Sequence, residues 1–158
     1  MAEQLYDRSS RGCAVGHLDS GLRTAILAEA ESELLGDVAA AAVCCVETRS
    51  VPRRRTGLGR LLGGRALPET LTAAVLLPRH LLVAVTYSGG VTAHSARLGE
   101  ITVTDVDPHW ARDSGVSVLA RWSHQSEAGS LHLALGDDPA GASFRENLRR
   151  AVEAAKSG

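Results

Sequence analysis

The stretch Thr70 to Tyr87, TLTAAVLLPRHLLVAVTY, restricts the fold more than any other part of this chain. Two apolar runs flank Pro78-Arg79-His80, and each alternates with a period of two. Leu71, Ala73, Val75 and Leu77 share one face of the first run; Leu81, Val83, Val85 and Tyr87 share one face of the second. A helix needs apolar residues three and four apart. The pattern therefore predicts two antiparallel strands joined across a polar break.

The same logic continues downstream. Ser88-Gly89-Gly90 predicts a tight turn into a strand over 91–98. Gly99-Glu100 turns again into 101–106, where Ile101 and Val103 share a face, and Asp107-Pro108 stops that strand because proline donates nothing to a ladder. Segments 115–122 and 130–135 alternate as well. Asp137-Asp138-Pro139 then supplies a carboxylate cap and a proline at the first helical position. Phe144, Leu148, Ala151, Val152 and Ala155 make one stripe on the helix that follows, with Arg145, Arg149 and Arg150 in its later turns, where the helix dipole favours cations.

Upstream, residues 1–18 mix Ser, Gly and charges without periodicity and read as a flexible lead. Asp19 or Ser20 caps a predicted helix to about Leu35. Leu22, Ile26, Leu27, Ala30 and Leu34 form its apolar face, Glu29 and Glu33 lie opposite, and Gly36 ends it. Residues 38–48 combine four alanines with β-branched residues and read as strand from about Ala41. Residues 49–69, with Pro52, Pro68 and four glycines, form a long connection. The organisation expected is a lead and N-terminal helix over 1–37, then one domain over 38–158. It is mostly β with α: about seven antiparallel strands in a partly closed barrel stoppered by the C-terminal helix.

Composition narrows the function classes. The net charge is −1, which gives no global attraction to nucleic acid. Three cysteines, Cys13, Cys44 and Cys45, fit no zinc spacing and read as reduced thiols. Cys44 and Cys45 are adjacent and should point to opposite faces of a strand. No signal-peptide pattern and no 18-residue apolar run occurs, so a soluble cytoplasmic protein is expected.

From roughly Ala41 to Ala155 the chain resembles a bacterial pleckstrin-homology-like (PH-like) domain. The likeness rests on GLGRLLGGR (Gly57–Arg65) between the first two strands of that region, on the hairpin TAAVLLPRHLLVAV (Thr72–Val85), and on the final helix. Leu77-Pro78-Arg79-His80 stands where the family often has Thr-Asp-Arg-Arg. The resemblance implies a split barrel that serves as a binding scaffold. Its relatives bind lipid headgroups, peptides or protein surfaces, and some assemble into rings. The fold by itself selects none of these.

The candidate partner-binding residues are Arg49, Arg53, Arg54, Arg55, Arg60, Leu61 and Leu62. They lie in a 17-residue arginine-rich span, 49–65, that contains no acid. Guanidinium forks suit phosphate oxygens, and adjacent leucines suit an interface. A solvated loop with inflated arginine content accounts for the same residues. Asp105, Asp107 and His109 alternate and could face a metal ion, but turn-forming aspartates at a strand end explain them more simply. Neither a nucleotide-binding glycine motif nor a hydrolase elbow is present, and Cys44 would need a histidine such as His80 or His94 beside it. The sequence thus points to a non-enzymatic binding module without cofactor or metal, acting on a protein partner or in self-assembly. Anionic lipid headgroups are the alternative ligand.

Overall fold

The computed structural model describes residues 5–53, 68–105 and 114–158. Among these the elements are strands β1 (Tyr6–Gly12), β2 (Cys44–Pro52), β3 (Thr70–Leu76), β4 (His80–Tyr87), β5 (Gly90–Arg97), β6 (Thr102–Asp105), β7 (Gly115–Ala120) and β8 (Gly129–Ala134), with helices α1 (Ser20–Ser32), α2 (Val38–Ala41) and α3 (Pro139–Ser157). β1 to β5 form one antiparallel sheet in sequence order, and β6 to β8 form a second. The seven antiparallel strands expected over 38–158 and the terminal helix are present, and among the described residues β1 adds an eighth strand from the segment before them. The sheets do not close into a barrel.

The hairpin is where the period of two places it. Val75 opposes Leu82 and Ala74 opposes Val83 across β3 and β4. Both faces of this sheet are buried, so the residues between those of each alternating set are largely apolar as well. On the inner face, Val46, Ala74, Leu76, Leu81 and Val83 pack with Val116, Val118 and Leu133 of the second sheet and with Phe144, Leu148 and Val152 of α3. On the outer face, Cys45, Ala73, Val75, Leu82 and Ala84 pack with Leu22, Ile26 and Ala30 of α1. The adjacent cysteines do divide between the faces: Cys44 packs against the inner cluster, and Cys45 belongs to the outer one.

Three readings of the sequence require correction. Residues 6–12, expected within a flexible lead, form an edge strand whose Ser10 opposes Thr48 and whose Arg8 opposes Ser50. Its inward side chains are polar, so no hydrophobic period announced it. Second, the alanine-rich start of 38–48 is helical over Val38–Ala41, and the strand begins only at Cys44 but runs on to Pro52, so residues 49–52, expected at the start of the long connection, pair within the sheet instead. Third, the buried stripe of α1 is rotated. Leu27 is 45% exposed and Leu34 is 89% exposed, while Glu29 is only 5% exposed. α1 ends at Ser32, and Leu34 takes a left-handed conformation (φ 57°) ahead of Gly36 (φ 77°).

The two sheets are joined at their corners by hydrogen bonds. On one side Ser123 N donates to Ser95 O at 2.9 Å, and Ser95 N donates to Ser123 Oγ at 3.0 Å. On the other, Asp138 accepts from Ser10 N at 2.7 Å and from Gly141 N at 3.0 Å, so the cap of α3 also holds β1.

Candidate functional site

Beneath the C-terminal half of α1, three separate parts of the chain converge on Glu29. Ser95 arrives on β5; Ser123 and His124 arrive on the loop between β7 and β8. The Ser95 hydroxyl donates to Glu29 Oε1 at 2.9 Å, and the Ser123 hydroxyl donates to the same oxygen. The other oxygen, Oε2, lies 2.9 Å from His124 Nε2. Ser123 thus accepts from the β5 backbone while donating to the carboxylate.

Burial pushes the Glu29 carboxyl up, since an isolated charge loses hydration there. Hydrogen bonds from Ser123, His124 and Ser95 outweigh that, and the net shift is downward. The hydrogen bond to Glu29 and its negative charge raise His124 correspondingly. The pair is therefore carboxylate and imidazolium over a wider pH range than either group would be alone. His124 is held in a left-handed conformation (φ 65°) just after Trp122, whose indole donates to Gly129 O at 3.1 Å and ties the loop together.

Beside this cluster a cavity of about 420 Å³ opens between the end of α1, the start of β4, the end of β5 and the β7–β8 loop. Its walls carry Glu33, His80, Arg97, Glu100, Arg121 and His124. Burial lowers His80, reinforced by the charges of Arg97 and Arg79 against the opposing pull of Glu33, which favours its neutral form. Glu29, Glu33 and His124 each offer a ligand atom, and these atoms lie within 4.8 Å of one another.

The arginine-rich residues singled out in the sequence lie elsewhere. Arg49 is exposed on β2 and pairs with Glu69, and Arg53 meets Asp7 at 2.7 Å. Arg54, Arg55, Arg60, Leu61 and Leu62 lie outside the described residues. So do Asp107 and His109; Asp105, at the end of β6, pairs with Arg149 of α3. Burial raises the thiols of Cys44 and Cys45, the opposite of what activates a nucleophile. The Glu29 cluster escaped the sequence reading because the partners of Glu29 lie 66 to 95 positions from it. The one local signal was an acid four residues before Glu33, on a helix whose Leu27 and Leu34 suggested a different buried face.

No helix among the described residues is long and apolar enough to cross a membrane. Set against protein families, curated proteins and solved structures, the chain finds no match.

Proposed function

We propose that this chain is a non-enzymatic, cytoplasmic PH-like module that works by contact with a protein partner or with a second copy of itself. The connectivity supports the PH-like part. β2 to β5 followed by β6 to β8 and a packed terminal helix is the order such a domain would have, with β1 as an addition. The opening between the sheets suits the word split better than the word barrel.

One observation carries the binding role: the wall of the 420 Å³ cavity bears exposed charges of both signs. The side chains of Glu33, Arg97, Glu100 and Arg121 make no hydrogen bond or ion pair among the described residues. Small-molecule sites are mostly apolar with a few polar groups. A bowl of exposed, opposed charges is better matched to the charged surface of another protein, where complementarity sets encounter rate and specificity.

Cross-linking of the tagged chain in its source cells tests this. A partner, or the chain itself, is expected to attach at this face, with the product lost on Arg97→Glu with Arg121→Glu and kept on Arg49→Glu with Arg53→Glu. The reverse pattern, together with co-sedimentation on anionic but not neutral vesicles, would replace it with headgroup binding through the β2–β3 connection.

A further inference from the structure

We propose that Glu29, Glu33 and His124 form a site for a divalent first-row cation of the zinc class, open toward the cavity. The donor set is one imidazole nitrogen and two carboxylates, within the ligand chemistry such ions accept. Two residues one helical turn apart, Glu29 and Glu33, place their carboxylates on the same side of α1. His124 comes from the opposite wall, so an ion there would bridge α1 to the β7–β8 loop.

The surroundings of Glu29 are those of an oriented ligand. Both serine hydroxyls, from Ser95 and Ser123, are spent on Oε1. That fixes the carboxylate and leaves Oε2 aimed at His124 Nε2 at 2.9 Å. Outer hydrogen bonds of this kind orient the ligands of metal sites. Metal–ligand bonds of about 2.1 Å place neighbouring tetrahedral ligands about 3.4 Å apart. The ion therefore needs the Glu29–His124 gap to open by roughly half an ångström as it displaces the shared proton. His124 sits on an exposed loop and Glu33 at the exposed end of the helix, so both can give. The cavity beside them leaves room for water on the remaining coordination positions.

The test is equilibrium dialysis and calorimetry of the full, chelator-stripped chain with Zn²⁺ alone, repeated with Co²⁺ for its visible spectrum. One equivalent is expected to bind, and thermal stability should rise with it. His124→Asn, which tolerates the left-handed backbone, and Glu33→Gln should each weaken binding at least tenfold, while His17→Gln should not. Because Cys13 and Cys45 are neighbours across β1 and β2 and compete for zinc, Cys13→Ser must leave the stoichiometry unchanged. No saturable binding, or binding that survives His124→Asn or disappears with Cys13→Ser, overturns the site. The Glu29 cluster is then an anchor for α1 only.

Discussion

α1 and α3 cover opposite faces of one sheet, and they do so with different chemistry. α3 presents Phe144, Leu148 and Val152 to the inner face, with no charged residue among its buried positions. α1 presents Leu22, Ile26 and Ala30 to the outer face with Glu29 buried among them. An apolar stripe settles which side of a helix is buried but discriminates weakly between neighbouring placements along the sheet. A carboxylate that must reach Ser95, Ser123 and His124 together accepts one placement. The inner helix is thus held by area, and the outer helix is held by area and also positioned by a charge.

The largest effect that would break this comparison comes from the apolar contacts. Leu148→Ala and Ile26→Ala remove side chains of 0% exposure from the two faces, and each should cost about 2–5 kcal/mol in urea unfolding. Both variants are expected to unfold in one transition. A biphasic curve for Ile26→Ala alone would show that α1 melts by itself and that the two faces are not one cooperative unit.

A middle-sized effect sharpens it. Glu29→Ala leaves the Ser95 and Ser123 hydroxyls without their acceptor and should cost about 1–3 kcal/mol, with most of that recovered when both serines are also changed to alanine. pH separates the two ends of the contact. Glu29 is depressed from an ordinary value of 4.5, so its contribution is present above that pH and lost as pH falls through the lower folded value. His124 is raised from 6.5, so its contribution is present below that pH and lost as pH rises through the higher folded value. The Glu29 shift also includes the two serine hydroxyls, but the part the two groups share, the Glu29–His124 contact, should be strongest between about pH 4.5 and 6.5. Melting temperatures across pH should show the alkaline decline disappear in His124→Asn; an unchanged profile would mean the imidazole contributes nothing.

The smallest effect is at the surface. Arg49→Gln and Arg53→Gln break ion pairs whose partners, Glu69 and Asp7, are themselves exposed. Neither should move the melting temperature beyond the scatter of repeated melts, because solvent screens exposed pairs.

What the residues determined unaided was the set of elements whose burial is apolar and whose period is local. The β3–β4 hairpin, the Asp138–Pro139 start of α3 and its Phe144–Leu148–Val152 stripe were all legible, because each signal spans less than twenty residues and depends on hydrophobic spacing alone. Tertiary structure decided the rest. β1 is a strand because β2 offers Thr48 and Ser50 to its Ser10 and Arg8; in isolation the same residues are polar and aperiodic. α1 turned Glu29 inward, and left Leu27 and Leu34 outside, because two serines and a histidine from distant segments meet at that corner. Hydrophobic burial is roughly additive along a chain and so leaves a local trace. A buried charge is tolerated only where its donors assemble in space, and those donors are found only once the sheets have come together.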